Sequence, residues 1–321
     1  MFAAAWTASS QLPSEGFTPN WSREGFWRQS LRQVVRLTAG GERVRVRFSN
    51  AYGTSPVRIA SGSVGRAGAV VPLTFGGAVE GEMPARGELV SDGVQLAVEA
   101  GESVVVTLYF DSATGPATFH AQAFATSCRG AGCLLDGGDF TESSESWYFL
   151  SAVETDSGRA DGIVLFGDSI TDGFGSTAGA DRRWSDALAS RTGRAVLNAG
   201  IGGNLLLNDS AWYGERGVRR FGRDVLQLAG VDTVVVLLGL NDIGFSETDA
   251  QPTYKPAPVV SAGEVIAGYR ELLRQGRELR VMGATLLPFG GLITGGSGRR
   301  RSVMRSTSGC GVRGSSTGLS I

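Results

Sequence analysis

Between residues 31 and 124 apolar and polar positions alternate in short runs: Leu31 to Leu37, Arg43 to Phe48, Val57 to Val64, Val70 to Phe75, Val94 to Val98, Val104 to Phe110 and Ala117 to Phe124. Turn residues separate these runs at short spacings, which predicts an antiparallel β-sandwich. Arg43, Arg45 and Arg47 alternate with valines, as the outer face of a half-buried strand would. After Trp147 to Val153 the grammar changes. Apolar runs at 163–166, 195–198, 233–238 and 279–286 alternate with helical candidates near 181–192, 216–229 and 262–275. Strand, loop and helix in that order predict an α/β unit, a doubly wound parallel sheet with helices on both faces. The expected division is therefore a β-sandwich domain at 1–155, an α/β domain at 156–294 and a tail at 295–321.

The stretch Ile163-Val-Leu-Phe-Gly-Asp-Ser-Ile-Thr-Asp-Gly173 ends a buried strand at Gly167 and places Ser169 on the loop that follows. Open α/β sheets bind ligands at that carboxyl edge. Two further segments have the same form, Ala195-Val-Leu-Asn-Ala-Gly-Ile-Gly-Gly-Asn204 and Thr233-Val-Val-Val-Leu-Leu-Gly-Leu-Asn-Asp242. Each delivers glycine and asparagine to a loop. Phosphate cradling is the competing reading of such loops. Neither G-x-x-x-x-G-K-[ST] nor G-x-G-x-x-G is satisfied, since Leu205 stands where the last glycine of the second would be.

In order, letters and strand context the three loops, GDSITDG, NAGIGGN and GLND, resemble blocks I, II and III of the SGNH, or GDSL, hydrolase family. The resemblance implies a flavodoxin-like α/β fold and serine esterase chemistry. It makes Ser169 the nucleophile and assigns the oxyanion hole to the backbone N–H of Gly203 and the side chain of Asn241. Asp168 and Asp242 are read as braces of their loops. Asp168 and Asp172 could also be read as an acid/base carboxylate pair, but a glycosidase would not require the other two blocks. Phe26 to Val35 and Val44 to Gly53 resemble the amino-terminal domain of one acylhydrolase subfamily that accompanies plant-polysaccharide degradation. Trp21, Phe26, Trp27 and Tyr52 are then either stacking faces for carbohydrate or packing residues.

The family's remaining residue, a histidine from a D-x-x-H motif near the C-terminus, has no counterpart here. The chain's one histidine, His120, lies well upstream of block I, in an alternating run read as a strand, and is expected to be structural. From Gly295 to Ile321 there is no acidic or aromatic residue, and 19 of the 27 residues are Gly, Ser or Arg. A disordered tail is one reading of this composition. Out-of-frame translation is another, because a chain with 29 arginines and one lysine suggests a G+C-rich coding sequence. The match of Gly314-Ser-Ser-Thr-Gly318 to a nucleophile elbow lacks the strand and helix that an elbow requires. Stopping the sheet at its fourth strand is expected to leave an apolar edge and to reduce solubility.

Net charge is -1, so no global field draws the chain to nucleic acid or an anionic membrane. No stretch has the apolar length of a membrane span. No signal peptide is visible, although Trp6-Thr-Ala-Ser-Ser10 resembles the mature start of secreted family members, which implies secretion and a trimmed or mis-assigned start. Cys128 and Cys133 either form a small disulfide or remain free thiols, and no cluster has metal-ligand spacing. No cofactor is expected. The leading expectation is a serine ester hydrolase for small acyl esters, with acetyl groups on plant carbohydrate as the candidate substrate. The rival is a non-catalytic carbohydrate-binding protein whose hydrolase half has lost its base.

Overall fold

The computed structural model describes residues 1–16, 18–135, 137–244 and 258–286. Lys255 and the tail from 295 lie outside them. Two antiparallel sheets form the upstream half. One runs Ala3–Thr7, Leu150–Thr155, Gly41–Ser49, Glu88–Val90, with Val94–Val98 also paired to Gly41–Ser49. The other runs Glu142–Ser144, Ser127–Ala131, Gln29–Arg36, Ser103–Phe110, Ser61–Arg66, Ala69–Pro72. A single buried cluster draws on both, with Val44, Val46 and Phe48 from the first and Leu31, Val35, Val104, Val106 and Leu108 from the second. Period-two alternation sends these side chains inward.

The arginines between those valines are less solvated than the alternation suggests. Arg45 and Arg47 are half-buried and both bond Glu154, whose side chain is buried on the neighbouring strand. The expected strand at 117–124 is present only as Phe119–His120, paired with Trp147–Tyr148. Past His120 the backbone turns to other partners. Ala121 N–H donates to the side chain of Gln11, and Phe124 takes a positive φ with its carbonyl accepting from Gly179. Cys128 and Cys133 are both free.

The downstream half is built on a parallel sheet in the order Val196–Gly200, Gly162–Gly167, Val231–Leu237, Arg280–Gly283. Every residue of Gly162–Gly167 is buried, which explains its continuous apolar run. Val164, Phe166, Val234 and Val236 pack with Phe221, Val225, Val265 and Leu272. Ile163, Leu165 and Val196 pack instead with Trp184 and Leu188. The helix Ala262–Gln275 opens on a reciprocal cap between Ser261 and Glu264 and buries Val265, Gly268 and Leu272 along one stripe. The helix expected over 216–229 is shorter, Gly217–Phe221, and continues as a π turn, Gly222–Leu226.

The two halves touch directly. Ala4 N–H donates to the Ala229 carbonyl, and the Thr38 hydroxyl lies between Ala5 and Val196. Among the described residues no helix is long and apolar enough to cross a membrane.

Candidate active site

Gly167 pairs with both Gly200 and Leu237, so the three strands that carry the motifs end level with one another. The loop that carries Ser169 begins there. Asp168 caps a one-turn helix, Ser169–Asp172, by accepting from the N–H of Ile170. The turn is tight because Gly167 and Gly200 crowd it. A Cβ on Gly167 would stand 2.1 Å from the Thr171 hydroxyl, and one on Gly200 would stand 2.2 Å from the Asp172 nitrogen. Asp168, Thr171 and Asp172 are buried, whereas Ser169 stays partly exposed.

The second loop is tied to the first and the third. Gly202 N–H donates to Asp172 Oδ2 at 2.8 Å. Asn241 Nδ2 donates to the Asn204 carbonyl at 3.0 Å. Gly203, between those two anchors, has φ +74°, and a Cβ there would lie 2.4 Å from the ring of Tyr213. Glycine is the residue that this turn admits. Asp242 binds the loop further along, its two oxygens accepting from the N–H groups of Leu206 and Leu207.

Burial decides the charge state of the two braces. It pushes the carboxyl of Asp168 up to about 6, with the nearby Asp242 charge adding to the effect, while the Ile170 N–H and Arg220 oppose it. Burial likewise raises Asp242 to about 6 against its two backbone donors. Asp168 Oδ2 is buried with no hydrogen-bond partner, which is consistent with a carboxyl that holds its proton readily.

Sequence reasoning placed Ser169, Gly203 and Asn241 on three successive loops, and the structure joins those loops through the neighbours of each. It also shows residues that the motifs did not flag. Arg220 is fully buried and donates to the carbonyls of Gly167 and Ala199, to Asn204 Oδ1, to Ser9 Oγ and to Asp224. Its guanidinium lies 4.1 Å from the Phe166 ring centroid. Nothing in Gly217-Val-Arg-Arg-Phe221 distinguishes Arg220 from the exposed Arg219, so only its burial identifies it.

His120, read from sequence as a structural residue upstream of block I, is buried, and its ring is not remote from block I. Nε2 lies 3.1 Å from Asp172 Oδ1 and 3.2 Å from the Gln122 carbonyl, and Nδ1 lies 2.9 Å from the Ser9 carbonyl. Asp172 thus serves His120 and Gly202, and Asp168 serves Ile170. The two carboxylates have separate partners.

Of the four rings nominated for stacking, Trp21 and Phe26 lie in the core, where Trp21 stacks on Tyr148. The Tyr52 hydroxyl bonds Glu215. Trp27 is 62% exposed, and the Arg28 guanidinium lies over its ring.

No curated protein matches this chain. Solved structures similar to part of it include the M. Smegmatis aryl esterase in its inhibitor-bound form, at 16% identity over 47% of this chain and 78% of that one, with a TM-score of 0.37. Est24, a carbohydrate acetylesterase from Sinorhizobium meliloti, is 18% identical over 46% of this chain and 79% of that one, TM-score 0.37. Axe2, an acetylxylan esterase from Geobacillus stearothermophilus, is 22% identical over 47% and 70%, TM-score 0.34. These likenesses are too distant to support any residue's role. Residues 165–307 match the model of the GDSL-like Lipase/Acylhydrolase family. The segment of the chain that carries Ser169, Gly203 and Asn241 is thus a GDSL-like lipase/acylhydrolase domain.

Proposed function

We propose that this chain is built as a serine ester hydrolase for small acyl esters, with acetyl groups on carbohydrate as the candidate substrate. The observation that supports this most directly is the joining of three level strand ends through Asp172 to Gly202 and Asn204 to Asn241. In this reading Ser169 Oγ attacks the ester carbonyl, and the N–H of Gly203 and the side chain of Asn241 receive the oxygen as it gains charge. One N–H of the Asn241 amide is used on Asn204, and the other is the donor assigned to the oxyanion. Each such donor is worth roughly 10²- to 10³-fold in rate. Asp168 and Asp242 hold the loops. No cofactor or metal is assigned a role.

A serine hydroxyl is a poor nucleophile at neutral pH without a base. His120, the chain's one histidine, has both ring nitrogens committed to Ser9, Gln122 and Asp172. We therefore assign the chain a nucleophile and an oxyanion hole with no histidine base of its own, and expect slow turnover. The parallel sheet is read as doubly wound and the upstream sheets as a β-sandwich, with the division near residue 155. Secretion follows only from the resemblance of the N-terminus to mature secreted members.

Hydrolysis of p-nitrophenyl acetate by wild type and Ser169→Ala tests the reading. A slow rate that the substitution removes supports it. Equal rates in the two proteins would leave the carbohydrate-binding alternative, although Trp21, Phe26 and Tyr52 are engaged within the protein and offer that alternative little surface.

A further inference from the structure

We propose that His120, acting through Asp172, is a positioning residue for the Gly202–Gly203 turn of the ester-cleaving site. This rests on the reading of Gly203 as an oxyanion donor. Every hydrogen-bond partner of the imidazole is an acceptor: the Ser9 carbonyl on Nδ1, and the Gln122 carbonyl and Asp172 carboxylate on Nε2. A neutral imidazole has one N–H and would turn a lone pair toward one of them. The doubly protonated ring satisfies both sides, and its charge lies against the buried carboxylate of Asp172.

Asp172 passes the restraint on. One oxygen meets His120, and the other receives the N–H of Gly202 at 2.8 Å, one residue before Gly203. The turn is closely packed at Gly202, where a Cβ would stand 2.7 Å from Gln122 Oε1, two residues from His120 on the same segment, and 3.6 Å from Asp172 Oδ2. Trp147 faces the ring at 5.6 Å between centroids, and Ser9, whose carbonyl His120 binds, is itself held by Arg220. The upstream half thus supplies part of the support for the hydrolase loops.

Because the chain has one histidine, the imidazole nitrogen signals of ¹⁵N-histidine-labelled protein report His120 alone. A doubly protonated ring at pH 7, with a lower pKa in Asp172→Asn, is the expected result. A neutral ring in folded wild type at pH 7, or an unchanged pKa in Asp172→Asn, overturns the proposal. Hydrogen exchange over the peptide spanning 199–205 reads the turn without any need for turnover. It should quicken in His120→Ala and return most of the way in His120→Gln, whose side-chain amide can still donate to Asp172. Unchanged exchange in a folded His120→Ala overturns the proposal. In His120→Ala, Ser169-dependent hydrolysis should lose roughly ten-fold in kcat with KM unchanged, less than the loss of an oxyanion donor itself, and His120→Gln should recover most of it. If Ser169→Ala hydrolyses as fast as wild type while the exchange still responds to His120, the ester reading fails and the restraint on the turn stands.

Discussion

Arg220 donates to the carbonyl of Gly167 at 2.8 Å, joining a fully buried guanidinium to the last residue of the strand that delivers Ser169. The same side chain bonds Ala199 on the adjacent strand and Asn204 beside Gly203, so one charge holds the first two loops at a common height. Burial lowers the pKa of Arg220, and Asp224 opposes that effect.

Replacing Arg220 with Met should therefore destabilise the protein by about 3–5 kcal/mol, since it removes one partner of a buried pair and the donor to the Gly167 and Ala199 carbonyls. Arg223 also bonds Asp224, which will soften the loss. Chemical denaturation at pH 7 checks this. A change below about 1 kcal/mol would show that the buried arginine is dispensable.

Gly203→Ala should combine backbone strain at φ +74° with a clash against Tyr213. The expected cost is on the order of 1–3 kcal/mol in stability. Tyr213→Ala in the same chain relieves the clash but not the strain. Slow Ser169-dependent hydrolysis should fall at least ten-fold in Gly203→Ala and recover little in the double variant. Full recovery would show that the clash with Tyr213, and not the backbone strain, accounts for the loss.

The carboxyl of Asp168 titrates near 6 in the folded protein against an ordinary 3.8. The folded state then binds the proton more tightly, so stability falls as pH rises from about 4 through about 6. Asp168→Asn retains an acceptor for Ile170 and removes that penalty. It should be more stable than wild type at pH 8, by no more than about 3 kcal/mol, with the advantage shrinking toward pH 4. Melting temperatures across that range decide it, and a destabilised variant at pH 8 would contradict the assignment.

For His120, burial pulls the pKa down, but the Asp172 charge and the hydrogen bonds together outweigh it and hold the ring above its ordinary 6.5. A raised histidine stabilises the fold fully below 6.5 and loses that contribution as pH rises through the folded value. His120→Gln should therefore melt with a flatter dependence on pH above neutrality than wild type does. Parallel curves for the two proteins would refute this.

Turnover of p-nitrophenyl acetate by the 321-residue chain should be very slow. In a serine protease, removing the histidine alone costs roughly 10⁶-fold in kcat. Pure protein with an ordinary enzymatic rate that Ser169→Ala abolishes would show that another group takes the serine proton.

Local sequence determined the elements around the site because their constraints are local. The run Ile163 to Phe166 is buried on both faces and the glycine after it ends the strand, so a loop carrying Ser169 at the carboxyl edge of the sheet could be read directly. Gly203 lies on a second loop of the same form, and its role comes from the family resemblance. Tertiary structure alone decided which polar groups are charged and which are paired. Arg220 and Arg219 are neighbours in sequence, yet one is fully buried beneath the strand ends and the other exposed. His120 and Asp172 lie 52 residues apart, in segments with no local reason to meet. Folding brings the upstream segment against block I, and in that buried contact an imidazole surrounded by acceptors and a carboxylate that also accepts the N–H of Gly202 satisfy one another. Alternation and motif spacing report how each residue relates to its own element; the partner that sets its charge comes from elsewhere in the fold.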